Sequence, residues 1–309
     1  MSLRTGQLMM DLFQRSGRWK NLQGDEFNHF RNILLSIADD IVGCCERNDL
    51  SYCLAYGSAL GAVRHCGFIP WDDDVDFFMP RKDYLKFIEI AAKELNNKYY
   101  IRCVSKGDPL ATPTCHVRLK GTHYVNYGDL VLTAKDPEEM RGIYIDIAPL
   151  DDSSNNPFLR KLRGEMCLFY LFAASCVSTR DMKRLLDEYE VYVTKEELKA
   201  LRPKLALGRL LGFRSAENWV KRYDKLTSAI HNNNSEFITC YTGYKKISKS
   251  VYKRKDIFPC RKHEFEGRMW NIPHDYDAFL KQMYGDYMTP PRDGKQKIHP
   301  VFELDFGEY

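Results

Sequence analysis

The chain of 309 residues carries 46 Lys and Arg against 42 Asp and Glu, a formal charge of +4. Taken as spread evenly, that balance excludes an acidic tail protein and leaves no basic tract of the kind that binds nucleic acid. With 44% hydrophobic and 13% aromatic residues, the composition is that of a globular protein able to bury a sizeable core. Ten scattered cysteines, with Cys44 and Cys45 adjacent and no C-x-x-C, support neither a zinc ribbon nor a disulfide framework. Residues 1 to 30 show no charged leader, apolar region and cleavage site. The expectation is a cytoplasmic protein with reduced, mostly buried thiols.

From Glu26 to Glu46 the residues Phe27, Phe30, Ile33, Leu34, Ile37, Ile41 and Val42 recur at spacings of three and four, which predicts a helix with one core-facing stripe. SYCLAYG reads as a short strand ending at Gly57, followed by a Gly-Ser turn and a helical segment through Arg64. Pro70 marks a loop, and Val75 to Met79 reads as a second strand stopped by Pro80. Helix resumes from Arg81 to about Asn96. Strands are expected at Tyr99 to Val104, Thr114 to Leu119 and Ile143 to Ile147, with the polar stretch Thr133 to Arg141 a loop between the last two. Helices follow at about Phe158 to Ser178, Arg180 to Val193 and Ala216 to Asn232, then the apolar run FITCYTG, a helix from Tyr276 to about Met283 and a Pro-rich tail. The division expected is a helical segment over 1–48, a catalytic core over 49–152, a helical region over 153–235 and a mixed segment over 236–309 that completes the core domain.

The most apolar run, Cys167 to Val177, has 11 residues, short of the roughly 20 needed to span a bilayer. A buried helix is expected there. A membrane-facing helix flanked by Arg163 and Arg180, touching the inner face of a membrane, is the alternative.

The chemistry concentrates at Gly57-Ser58 and, 16 residues after Ser58, at Asp74-Val75-Asp76. On a strand, side chains at i and i+2 share a face, so Asp74 and Asp76 can grip a divalent cation between them. Such a clamp serves phosphoryl or nucleotidyl transfer by neutralising charge on phosphate oxygens. A Gly-Ser turn at a helix start supplies N–H groups and a hydroxyl for an anionic phosphate. A lone D-x-D is weak, as Asp275-Tyr276-Asp277 shows within the same chain, and the plain alternative for Asp72 to Asp76 is a solvated turn. Against that, Asp74 and Asp76 flank Val75 and enter an apolar strand, where an unpaired carboxylate is costly. Asp146, inside the apolar run Ile143 to Leu150, is a third carboxylate, suited to orient or deprotonate an acceptor hydroxyl; the plain alternative is a loop cap.

The segment AYGSALGAVRHCGFIPWDDDVDFFMPRKDYLKF, residues 55 to 87, resembles the signature of the LicD family, and IYIDIAPLDD (143 to 152) and MYGDYMTPP (283 to 291) agree with it. That family groups phosphocholine transferases of cell-surface glycans such as lipopolysaccharide or teichoic acid with fukutin-type phosphoribitol transferases, in the nucleotidyltransferase-fold superfamily. The resemblance implies an α+β fold, a nucleotidyltransferase-like mixed sheet flanked by helices, with a helical insertion and C-terminal region. It implies Asp74, Asp76 and Asp146 as catalytic residues and ligands of Mg²⁺ or Mn²⁺, with Gly57 and Ser58 holding phosphate. Arg64, Trp71, Asp72 and Asp73 share the signature and are taken as substrate-binding without a specific role. Arg118 and Lys120 alternate on one strand, so both can approach a diphosphate, although two cations on an edge strand are equally ordinary.

The activity implied is transfer of a phospho-alcohol, phosphocholine first, from a CDP-activated donor such as CDP-choline to a glycan hydroxyl, with CMP released. The glycan acceptor is lipid-linked or free. Among Tyr56, Trp71, Phe77 and Phe78, only Trp71 is expected in a choline cage, because Phe77 and Phe78 point to opposite faces. Tyr284, Gly285, Asp286 and Tyr287 read as structural or acceptor-lining, and His299 as a packed or surface residue. The competing readings are nucleotidyl transfer from an NTP with pyrophosphate release, and a catalytically silent relative that only binds glycan or nucleotide. No nucleic-acid partner is expected.

Overall fold

Two helices, α1 (Gly6–Gln14) and α2 (Gly24–Arg47), open the computed structural model, which describes residues 5–132, 136–188, 190–230, 235–241, 247–291 and 299–309. The elements that follow are β1 (Cys53–Leu54), α3 (Tyr56–His65), β2 (Asp76–Pro80), α4 (Arg81–Glu94), β3 (Tyr99–Arg102), β4 (Cys115–Leu119), β5 (His123–Asn126), α5 (Tyr127–Leu132) and β6 (Tyr144–Ser153). Then come α6 (Pro157–Glu188), α7 (Lys195–Leu210), α8 (Ala216–Thr227), β7 (Phe237–Thr239), β8 (Val251–Lys253), α9 (Arg254–Ile257), β9 (Arg261–Phe265), β10 (Arg268–Ile272), α10 (Tyr276–Tyr284) and β11 (Val301–Asp305). The fold is α+β, as expected.

A mixed sheet in the order β1-β2-β6-β4-β3 organises the molecule, and β7 and β8 extend it from the end of β6. Strands β2 and β6 run parallel, with Asp76 opposite Asp146, while β4 lies antiparallel to β6 with His116 opposite Asp146. Register partners share a face. Asp76, Asp146, His116 and, from β3, Arg102 therefore form one polar row across four strands.

The alternation of β2 separates its two phenylalanines as expected. Phe77 packs edge-on against Tyr52 and Trp270, and Phe78 against Tyr56 and Phe279. Both are fully buried, contributing roughly 1.5–3 kcal/mol each. The stripe of α2, including Phe30, Ile37 and Ile41, joins the same core. Cys167, Ala173, Ala174 and Val177 are buried, so the apolar run of α6 is an interior helix face. No helix among the described residues is long and apolar enough to cross a membrane. All ten cysteines are free, and eight are buried.

Several elements differ from expectation. The two helices expected at 158–178 and 180–193 are one helix, α6, because no Gly or Pro interrupts them at Thr179. Helix α7 is an addition: Thr194 and Glu197 form a reciprocal capping box that starts it, and Pro203 is accommodated inside it. Between β4 and β6 the chain makes β5 and α5, and β5 pairs with β11 in the tail. Strand β6 continues through Asp151 and Asp152 to pair with β7, so Asp146 sits within a strand and does not cap a loop. The ends of four expected elements lie outside the described residues: 133–135 of the polar loop, 231–232 of the third helix, 242–243 of the FITCYTG run and 292–298 of the tail.

Candidate active site

Strand β2 begins at Asp76, so Asp74 belongs to the loop before it rather than to the strand face expected for it. That loop is pinned from behind. Arg31 of α2 donates to the carbonyls of Ile69 at 2.7 Å, Pro70 at 3.1 Å and Asp72 at 2.7 Å. Its guanidinium lies 4.0 Å from the Phe27 ring centroid and 4.8 Å from that of Phe68. Three carbonyls converging on one planar cation fix a sharp loop that no repeating ladder could hold. Nothing in the spacing of α2 marks Arg31 for this work.

Gly57 and Ser58 fall in the first turn of α3, which starts after Ala55 without a side-chain cap. Ser58 is buried, and its Oγ accepts from the Asp76 N–H at 2.9 Å. The hydroxyl thus ties the helix start to the first residue of β2. A Cβ on Gly57 would come within 2.9 Å of Asp72 Oδ2, so glycine lets that carboxylate approach the helix start.

Asp73 is almost fully buried and accepts from His299 Nδ1 at 2.7 Å. His299 also stands 3.9 Å from Asp74 Oδ2. Asp73, Asp74 and His299 offer ligand atoms all within 4.8 Å of one another. Burial pushes the Asp74 carboxyl up to about 6; His299 opposes this, and Asp73 and Asp146 add to it. One side of Asp74 still reaches solvent, at 41% side-chain exposure, so part of that strain is screened. Asp72 is likewise held well above the usual carboxylate range by burial and by Asp74 and Asp73. Burial would lower the His299 imidazole, but the Asp73 hydrogen bond and the charges of Asp73, Asp74 and Asp72 carry it up to about 9. Expected to be a packed or surface residue, His299 is part of the site, brought there by the tail.

Asp146 is held from the other side. Its Oδ1 takes His116 Nε2 at 3.0 Å and the Thr114 hydroxyl at 3.3 Å. His116 Nδ1 lies 3.1 Å from an Arg118 N–H. Because arginine only donates, Nδ1 must accept, and the ring proton is fixed on Nε2, pointing at Asp146. Tyr144 stacks on His116 at 4.6 Å and 12°. His116 stands two residues before Arg118 in CHVRLK, where a lone histidine carries no signal until its register partner is known.

Arg118 and Lys120 correct the expectation of two cations reaching a diphosphate. Strand β4 lies between β6 and β3 and is no edge. Arg118 is fully buried, ion-paired with Asp129 and bonded to the Gly142 carbonyl at 3.1 Å. Lys120 lies past the strand end, on the Asn96 carbonyl and 4.6 Å from the Tyr100 ring centroid. Arg118 acts on the site only through His116. Arg64 donates to the Tyr287 carbonyl at 2.8 Å and fastens α3 to the segment after α10. Trp71 is half-buried at the edge of the principal core. Tyr284, with Asp76, Asp72 and Asp74 among the charges that raise its hydroxyl after burial, stands beside the carboxylates. Asp286 bonds Thr289, and Tyr287 bonds Asp277, away from them.

The residues suit a hard divalent cation: crowded carboxylates supply oxygen donors, and their mutual repulsion is relieved here only partly by His299. Among the described residues the tightest set is Asp73, Asp74 and His299, with Asp76 and Asp146 at register-paired positions on the adjoining strands. A cavity of about 1260 Å³ lies elsewhere, at the Pro80 end of β2, and is lined by Tyr52, Lys253, Phe258 and Asn271.

A strand, a helix entered through Gly-Ser, and a second strand opening on Asp76 frame the carboxylate cluster. Residues 49–155 match the LicD/FKTN/FKRP nucleotidyltransferase domain. Over 285 residues it is 29% identical to the lipopolysaccharide cholinephosphotransferase LicD of Haemophilus influenzae, an alignment covering 88% of this chain and 94% of that protein. A shorter stretch of 64 residues is 39% identical to an uncharacterized protein of Rickettsia typhi, covering 18% of this chain and 21% of that one.

Proposed function

We propose that the protein is a metal-dependent phospho-alcohol transferase that moves phosphocholine from CDP-choline to a hydroxyl of a cell-surface glycan and releases CMP. The observation that carries this reading is the convergence of Asp74, Asp76 and Asp146 on one end of β2, in a chain aligned almost end to end with a lipopolysaccharide cholinephosphotransferase. Asp74, Asp76 and Asp146 would hold Mg²⁺ or Mn²⁺, which when bound neutralises charge on the donor's phosphate oxygens. Asp146, with Oδ1 engaged by His116 and Thr114, keeps Oδ2 to take the proton of the acceptor hydroxyl. The acceptor oxygen forms a bond to the phosphorus that carries choline, the bond from that phosphorus to the bridging oxygen breaks, and CMP leaves with that oxygen. Trp71, at the rim, is the aromatic face offered to the quaternary ammonium.

The test is ³¹P NMR of the protein with Mg²⁺, a glycan acceptor and in turn CDP-choline, CDP-ethanolamine and CDP-ribitol, with CTP alongside. CMP with a new phosphodiester signal is expected from CDP-choline. Pyrophosphate from CTP, with no CMP from any CDP-alcohol, would replace this reading with nucleotidyl transfer. Donor binding without turnover under all conditions would mark a silent relative.

A further inference from the structure

We propose that the face of α6 from Phe158 to Phe169, continued by Phe213, seats the protein on the surface of an anionic phospholipid bilayer. The alternative considered from sequence placed membrane contact at Cys167 to Val177, but of that stretch only Phe169 and Ser175 are exposed. The other bare residues of the strip lie one to two turns earlier. Phe158, Leu162, Met166 and Phe169 recur at spacings of four, four and three, so they return to one side of the helix, and Leu159 lies beside them. Their exposures run from 40% at Met166 to 71% at Phe158.

The strip does not end with the helix turn. Phe169 meets the Trp219 ring edge-on at 6.0 Å, and Phe213 meets the same ring at 5.5 Å, so Trp219 joins them. Phe213 is 69% exposed and Leu210, nearby in the chain, 71%. Of the thirteen large apolar side chains exposed among the described residues, seven belong to this surface. Contiguous bare apolar surface of this kind marks an interaction site, whereas scattered single residues do not.

Charge selects the occupant. Residues 153–230 hold 15 Lys and Arg against 9 Asp and Glu, a net of +6, so the remainder of the chain sums to −2. The positive charge is not spread evenly; it is collected in the helical region that carries the bare strip. Lys161, exposed, adjoins Leu162, and the Arg214 guanidinium lies 5.2 Å from the Phe213 ring centroid, while Arg163 turns to the Leu226 carbonyl. Glu165 is the only acid between Pro157 and Ser178. Two copies meeting through this face would press like charges together, whereas an anionic lipid surface meets the apolar strip and the cations at once. The proposal is independent of the transfer reaction and stands or falls separately.

The test is flotation of the full chain with vesicles of phosphatidylcholine alone, and of phosphatidylcholine with about 30 mol% phosphatidylglycerol. Binding to the anionic vesicles is expected to exceed binding to the neutral ones on the order of tenfold and to weaken in high salt. The triple variant Phe158→Ser, Leu162→Ser, Met166→Ser should lose on the order of tenfold of that binding with its circular dichroism unchanged, since all three side chains are exposed. Lys161→Glu, which removes no packing, should weaken it in the same direction. Absence of flotation, equal binding to both vesicles, or triple and Lys161→Glu variants that float like the parent would each overturn the proposal. A dimer by light scattering that the triple variant dissociates, with no vesicle binding, would show the face to be a self-association surface.

Discussion

Asp76 and Asp146 occupy register-paired positions on the parallel neighbours β2 and β6, although 70 positions separate them in the chain. Parallel pairing holds them side by side at one height of the sheet, and α3 and the loop pinned by Arg31 close the same end. Two like-charged carboxylates held side by side repel each other, which gives the substitutions below their direction.

Asp74→Asn, Asp76→Asn and Asp146→Asn should each lower turnover at least on the order of a hundredfold while the protein remains folded. Added Mg²⁺ should raise the melting temperature of the parent and do so less in each variant. Undiminished product formation by Asp74→Asn would remove that residue from the metal-holding set.

Much of this was legible in the chain. The alternation at Phe77 and Phe78 and the stripe of α2 depend only on which residues are apolar, and both formed where the pattern placed them. Asp76 and Asp146 stood out as carboxylates entering apolar strands, and the register sets them opposite each other, whereas Asp74 lies in the loop before β2. His299, His116 and Arg31 were not legible, since each acquires its role from a partner more than 25 positions away: Asp73, Asp146 and the 69–72 loop. Arg118 misled for the same reason. Its alternation with Lys120 is real, but the burial of β4 between two strands and the pairing with Asp129 turn its charge inward.

The metal-free protein should become less stable as pH rises from near 6.5 to about 9. His299 is raised in the folded state to about 9, so its contribution is complete below the unfolded value of 6.5 and is lost as pH climbs through the folded one. Because His299 is 45% exposed, the effect is screened and should amount to about 1–3 °C in melting temperature. His299→Gln should flatten this slope. Over the same window Mg²⁺ should bind more tightly, as the imidazolium beside Asp73 and Asp74 gives way to a metal. A melting temperature that rises from pH 6.5 to 9 without metal would contradict the arrangement.

Arg81 joins the sheet to the helical region. It donates to both oxygens of Asp151 on β6, at 2.7 and 2.8 Å, and to Asp224 on α8 at 2.8 Å, with only 6% of its surface exposed. Arg81→Met leaves Asp151 buried without its partner and should cost about 3–5 kcal/mol in urea unfolding. Combining it with Asp151→Leu should recover part of that loss, because the stranded charge is then gone. If the double variant is as unstable as the sum of the two singles, the packing of the long side chain rather than its charge dominates.

The most specific test concerns the His116 ring. Arg118 fixes the proton on Nε2, from which it reaches Asp146 Oδ1. A glutamine places its amide nitrogen near the position of Nε2 and can keep that donor, whereas an asparagine is too short and matches Nδ1 instead. His116→Asn should therefore lower kcat on the order of tenfold or more with KM for the donor little changed, and His116→Gln should restore a large part of it. Both replacements remove the stacked ring that Tyr144 covers at 4.6 Å, so a merely structural role would penalise them alike. Equal kcat for the two variants, at equal melting temperature, would show that the Nε2 proton does not orient Asp146. Recovery by glutamine alone would assign His116 as the residue that holds Asp146 with Oδ2 turned toward the acceptor.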